Sequence, residues 1–213
     1  MKKVFGVIGL GKFGFNVAKT LAEGGAEVIA CDIDEEKVRQ IADIVNQVFI
    51  LDATDEKALK ESGIANADVV VVSIGENIEA NILVTVQLIE LGVREIIAKA
   101  VNSLHGKILE RLGVRRVIHP ERDMAIRLAH SLLVGGFIEE IPVANNYSVF
   151  EMLPVKRFHG KTLKELDLRR KYDMTVLAIK RGEQFIVNPS GDELILSQDV
   201  LIVLGNRERI GSI

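Results

Sequence analysis

The 213-residue chain contains no tryptophan, one cysteine and four prolines. A single cysteine excludes a disulfide framework and a cysteine-based zinc site. Cys31 itself lies in an apolar run and reads as inert core. Eight phenylalanines and two tyrosines offer little on which to stack bases. An excess of positive charge is missing too: 27 basic residues against 30 acidic ones leave a net charge of −3. Without a basic face, no nucleic-acid partner is expected. Although the mean hydropathy is +0.23, no uncharged apolar run approaches the roughly 18 residues of a spanning helix. The richest stretch, 124–138, carries Arg127 and His130 and breaks at Gly135-Gly136. The surplus apolar surface is therefore expected in a core, a subunit interface, or both. The apolar part of Met-Lys-Lys-Val-Phe-Gly-Val-Ile-Gly is too short for a signal peptide and runs straight into a glycine motif, which reads as a mature cytoplasmic start.

What is present is a rhythm. Short β-branched runs predict strands over 4–8, 27–31, 48–51, 68–72, 95–98 and 116–118. Helical patterns separate them over 13–23, 35–44, 56–62, 77–91 and 104–112, and Pro120 is suited to open a last helix. Continuous apolar strands alternating with helices predict an α/β fold, a Rossmann-like doubly wound parallel sheet covered on both faces. After Gly135-Gly136 strands dominate, over 137–142, 147–153, 175–181, 184–187 and 199–204. One clear helix, 163–166, follows the cap residue Thr162. Turn signals at Arg181-Gly182-Glu183 and Pro189-Ser190-Gly191-Asp192 complete a small α+β module. The domains expected are 1–138 and 139–213, with Ala144-Asn145-Asn146 as a loop near the boundary.

Gly9-Leu10-Gly11-Lys12-Phe13-Gly14 matches G-x-G-x-x-G between a strand and a helix, and Asp32-Ile33 ends the second strand. That context supports a nucleotide-binding loop: glycines for a tight turn and close approach to phosphate, helix amides as donors, and Asp32 as acceptor for ribose hydroxyls. A carboxylate there with no arginine directly after it disfavours NADP. Ligands bind outside the carboxyl ends of parallel strands. Asp52-Ala53-Thr54, Ser73-Ile74-Gly75, Ala98-Lys99 and His119-Pro120-Glu121 are therefore further candidates. Asp52 could bind ligand or cap the next helix, and Lys99 could balance phosphate or sit solvated at a strand end. Glu121, early in a helix, suits the helix dipole as well as a ligand or metal. The four histidines, His105, His119, His130 and His159, lack metal-ligand spacing with one another. No acid–base pair, nucleophile or catalytic triad is placed to act, which weighs against the alternative of an NAD-dependent oxidoreductase.

These runs together resemble one family. They are the fingerprint behind Val4, Asp32-Ile33-Asp34-Glu35-Glu36-Lys37, Asp52-Ala53-Thr54-Asp55, Ala98-Lys99-Ala100 and Val117-Ile118-His119-Pro120-Glu121. The C-terminal Ala178-Ile179-Lys180-Arg181-Gly182 and Val187-Asn188-Pro189 belong with them. The chain is similar, over essentially its whole length, to the cytosolic regulators of potassium conductance (RCK domains) of the TrkA/KtrA type. The resemblance implies a non-enzymatic gating subunit. Its ligands would be ATP, ADP, AMP or NAD(H), with Asp32 on the ribose and Asp52 and Thr54 near the adenine. It implies rings of eight chains, homomeric or mixed with a related RCK chain, beneath an integral membrane potassium transporter. The protein would then be cytoplasmic and peripheral on the inner face of the plasma membrane. The helix after Glu121 resembles a crossover helix, giving Met124, Leu128, Leu132 and Leu133 an interface role. Lys12 stands where many relatives carry arginine; lysine brings charge without a bidentate fork. In some relatives the residue matching Glu121 helps hold a divalent cation. An arginine matching Arg169 binds cyclic di-AMP in the C-terminal lobe of some relatives, although Thr175 stands where those often have asparagine. A regulator of another cation transporter is the remaining alternative.

Overall fold

A computed structural model describes residues 3–133, 137–144 and 146–210. Gly135-Gly136 and Asn145, expected as a break and part of a loop, lie outside the described residues. The chain divides into two compact units, the first ending at Glu121 and the second beginning at Arg122. The boundary expected at 138/139 comes later and would assign the whole helix 120–133 to the first lobe.

The first unit alternates β1 (Val4–Ile8), α1 (Lys12–Glu23), β2 (Glu27–Asp32), α2 (Glu35–Ile41), β3 (Gln47–Ile50) and α3 (Glu56–Glu61). It continues with β4 (Val69–Val72), α4 (Ile78–Glu90), β5 (Ile96–Lys99), α5 (Ser103–Arg111) and β6 (Arg116–Ile118). α6 (Pro120–Leu133) starts at the expected proline. All six strands are parallel, in the order β3-β2-β1-β4-β5-β6. Alternating side chains divide between two cores. Ile8, Ile29, Cys31, Val70 and Val72 pack with Leu59, Val84, Leu88 and Leu109 on one face. Val7, Val28, Ala30 and Val71 pack with Ala18, Val38 and Ile41 on the other. This two-sided burial is why the strands read as continuous apolar runs.

Side-chain caps fix four of the helix starts. Asp34, Asp55, Asn77 and Asn102 accept from backbone amides at the beginnings of α2, α3, α4 and α5. Each such cap is worth about 1 kcal/mol. α2 ends at Ile41, three residues before the expected limit, because Ile44 and Val45 turn back onto the Ile41 carbonyl.

The second unit holds α6 from Arg122 on, then β7 (Phe137–Ala144), β8 (Tyr147–Met152), α7 (Leu163–Leu166), α8 (Leu168–Tyr172), β9 (Met174–Arg181), β10 (Gln184–Val187), β11 (Val200–Asn206) and α9 (Arg207–Ile210). Its antiparallel sheet runs β10-β9-β11-β8-β7. Phe150, Met152, Met174, Ile179, Leu201 and Val203 form its core with Phe158, Leu166, Leu168 and Ile195. α7 begins with the expected Thr162, in a full capping box with Glu165. α8 is unexpected from sequence. It is framed by Asp167 and Asp173, both left-handed, where a glycine would have announced the turns. Arg181 closes the unit: its Nε and Nη2 donate to both oxygens of the fully buried Asp199 at 2.8 and 2.9 Å.

Candidate functional site

β1 lies between β2 and β4, so the chain reverses its winding direction beside β1. Open α/β sheets bind ligands at the strand ends of such a switch point. A cleft of about 750 Å³ opens there. The glycine loop forms one wall, and its three glycines do different work. Gly9 has φ +90°, and a Cβ on it would sit 3.0 Å from the Ile74 amide nitrogen. A Cβ on Gly14 would lie 1.9 Å from the Gly9 carbonyl oxygen, so the helix packs on the loop only without one. Around Gly11 there is open space, and it precedes α1 without any side-chain cap. Uncapped amides at a helix start, with room in front of them, are what a phosphate requires. Ser73 lines the same cleft, its hydroxyl buried and with no hydrogen-bond partner. The hydroxyl itself turns away from the open space, toward the back of the glycine loop, where a Cβ on Gly14 would lie 2.9 Å from it.

Asp32 is buried at the end of β2 and already engaged. Its Oδ2 accepts from the Leu10 amide at 2.6 Å and its Oδ1 from the Asp34 amide at 2.9 Å. Each carboxylate oxygen keeps a second lone pair, so ribose hydroxyls can still be accepted. Lys37 comes back from α2 to within 3.7 Å of Oδ1. Asp52 caps no helix; Asp55 does. Asp52 Oδ1 accepts from the Thr54 amide and hydroxyl at 2.9 and 2.7 Å, and these bonds hold its carboxyl below the usual range. On the opposite wall Lys99 is no solvated strand end. Its ammonium donates to Glu121 Oε1 at 2.6 Å and lies 6.0 Å from the Phe13 ring centre. The hydrogen bond from Lys99 holds the Glu121 carboxyl low. Burial pushes the Cys31 thiol up to about 12, with Asp32 adding to it, so the thiol stays protonated.

Most of the residues singled out by sequence converge on the cleft: Gly9, Gly11, Lys12, Phe13, Asp32, Ile33, Asp52, Ala53, Thr54, Ser73, Ile74, Gly75, Lys99 and Glu121 all line it. Leu10 and Ala98 do not; both side chains are buried in the two cores. Gly14 backs the loop. Sequence reading missed Lys37, Glu76, Asn77 and Val101, which also line the cleft. Lys37 carries a signal in hindsight, since it lies one helical turn after the cap Asp34 and so faces the strand end. Among the described residues no group of three His, Cys, Asp or Glu side chains is placed to hold a metal ion. Glu121 meets an ammonium instead. Arg169 is exposed on the short α8 of the second unit. On α6, Met124, Leu128 and Leu132 are exposed, and the Leu133 side chain lies outside the described residues.

Family models for the TrkA-N domain and the TrkA-C domain match residues 5–120 and 148–213. The chain belongs to the TrkA-N/TrkA-C family. Its relatives include the Ktr system potassium uptake protein C of Bacillus subtilis (strain 168), 47% identical over 206 residues, 97% of this chain and 93% of that protein. The Ktr system potassium uptake protein A of Vibrio alginolyticus is 34% identical over 210 residues, 99% of this chain and 96% of the relative. Among solved structures, the GsuK channel bound to NAD aligns with a TM-score of 0.67 at 15% identity. That alignment covers 99% of this chain and 38% of the channel chain. The Shewanella denitrificans Kef C-terminal domain in its AMP-bound form aligns with a TM-score of 0.53 at 23% identity, over 61% of this chain and 78% of that one. Both likenesses are likenesses of fold. The TrkA-N match ends at the proline that opens α6, so the TrkA-N segment holds the parallel sheet from Phe5 on.

Proposed function

We propose that this chain is a nucleotide-binding cytosolic regulatory subunit of a membrane potassium uptake system and not an enzyme. The observation that carries the reading is the pairing of near full-length similarity to Ktr potassium uptake proteins with a cleft shaped for a nucleotide. The open Gly11 and the uncapped start of α1 fit a phosphate. Asp32 fits a ribose, and Asp52 with Thr54 lies beside the adenine. The ligand is ATP, ADP, AMP or NAD(H); solved relatives of the fold hold NAD, ADP and AMP. No helix of the described chain is long and apolar enough to cross a membrane. The chain's contact with the inner face of the plasma membrane is through an integral transporter partner, a reading supported by the potassium uptake relatives. Eight chains form the ring, alone or mixed with a related RCK chain. A divalent cation at Glu121 finds no three-ligand cluster among the described residues, and no step depends on it.

The mechanism needs only the chain's own groups. The glycine loop and α1 amides hold phosphate, Asp32 holds ribose, and the bound ligand favours one ring shape over another. Equal affinity for both shapes would shift nothing, so the nucleotide must bind one of them more tightly. Calorimetric titration with each nucleotide tests the site, with saturable binding expected for at least one. Affinity capture from detergent-solubilised membranes tests the partner, with an integral potassium transporter expected. Absence of binding to all of them removes the nucleotide reading, and turnover of NADH with small carbonyl compounds would revive an oxidoreductase. Size measurement with and without nucleotide tests the ring, which a stable monomer would overturn.

A further inference from the structure

The strand ladder between β4 and β5 stops at Val72 and Ala98. Beyond that point β4 stays with β1, since the Ser73 amide donates to the Ile8 carbonyl at 2.7 Å. At this parting a single side chain from α4 reaches both chains. Asn81 is wholly buried, and its amide nitrogen donates to the Ile74 carbonyl at 2.7 Å and to the Lys99 carbonyl at 3.2 Å. Both of its N–H bonds are thus spent on the two backbones that carry the cleft's Ser73-Gly75 wall and its lysine. These walls meet closely: a Cβ on Gly75 would lie 3.3 Å from Lys99 Nζ. The Asn81 carbonyl oxygen is left buried without a partner. An apolar side chain would cost less at such a position, and the amide is explained by what its nitrogen holds. The α4 backbone is fixed in turn, because the Thr85 hydroxyl donates to the Asn81 carbonyl of the main chain at 2.7 Å.

We propose that Asn81 is a positioning residue of the nucleotide site. It sets the distance between the Ser73-Gly75 wall and Lys99, and so places the Lys99 ammonium for the phosphates. The inference rests on the nucleotide reading of the cleft. It predicts that Asn81 acts through Lys99 and not through overall stability.

The test is a double-mutant cycle on the full chain, with ADP as the probe. Asn81→Ala should weaken ADP binding by about tenfold, the effect of a misplaced charge-assisted contact. In the Lys99→Met background the same change should cost nothing further, because the group it positions is gone. The dependence of ADP affinity on salt should flatten alike in Asn81→Ala and in Lys99→Met, since both lose the lysine's contribution. Fully additive losses, or a weaker affinity with the wild-type salt dependence, would overturn the inference and leave Asn81 a structural residue only. Asn81→Ser keeps one hydroxyl donor at the position and replaces the alanine variant if that fails to fold; the same cycle then decides. Failure of the nucleotide reading is distinguishable, because then the wild-type chain itself binds no nucleotide.

Discussion

The carboxylate of Asp32 accepts a hydrogen bond from the amide of Leu10 at 2.6 Å, across 22 positions of sequence. The residue expected to hold the ribose therefore also holds the glycine loop to the second strand. Asp32→Ala removes the acceptor for two backbone amides, those of Leu10 and Asp34. Orphaning a buried donor costs about 1–3 kcal/mol. The variant should lose nucleotide affinity and also melt at a lower temperature. Calorimetry and a thermal melt on the same sample check both. An unchanged melting temperature would show that the Leu10 bond contributes little.

The glycines separate folding from binding more cleanly. Gly11 has open space around it and φ −62°, which alanine adopts freely. Gly11→Ala should leave the melting temperature within about 0.5 kcal/mol of wild type in stability terms. It should still abolish nucleotide binding, because the added methyl fills the room in front of the α1 amides. Gly14→Ala places a methyl against the Gly9 carbonyl and should destabilise the first unit outright. Circular dichroism of the two variants distinguishes them, and a Gly11→Ala protein that binds as well as wild type would move the phosphate elsewhere.

The first unit was legible because its physics is local and periodic. Val69 to Val72, buried on both faces, cannot be read as anything but an interior strand, and the fingerprint glycines sit where a strand hands over to a helix. Residues that act across the sheet were not legible. Asn81 looks like any polar residue in the first turns of a helix, and its partners are 7 and 18 positions away. Leu10 and Ala98 show the reverse: both belong to motifs, yet their side chains are buried in the two cores and do not line the cleft. In the second unit, α8 escaped because Asp167 and Asp173 take left-handed conformations that sequence usually signals with glycine or asparagine.

Lys99 and Glu121 form an ion pair in the cleft, so Glu121 offsets the lysine's charge there. Glu121 is mostly exposed, so the pair itself contributes at most about 1 kcal/mol to stability. Glu121→Gln should therefore barely alter melting. It releases the Lys99 charge, so ADP should bind several-fold tighter in metal-free buffer, with a steeper dependence on salt. Titrations of the variant at two ionic strengths check this, and weaker binding would instead give Glu121 a direct ligand role.

The Arg181–Asp199 pair should make the stability of the second unit depend on acid. Burial pushes the Asp199 carboxyl up, but the Arg181 hydrogen bonds and the Leu196 amide outweigh it and hold the carboxyl below its usual range. A carboxyl lowered by folding contributes stability that is complete above its unfolded value and is lost as pH falls through the lower folded one. The second unit should thus hold to about pH 4 and lose this contribution below it. Asp199→Asn should remove that part of the acid slope and cost about 1–3 kcal/mol at neutral pH, because Arg181 loses its buried charged partner and keeps only Glu193 and the Leu194 carbonyl. Tyr147 and Tyr172, the only two tyrosines, both lie in this unit. In a chain without tryptophan, tyrosine emission during urea unfolding reports this unit selectively. Equal acid slopes in wild type and Asp199→Asn would show that the pair does not set the unit's acid limit.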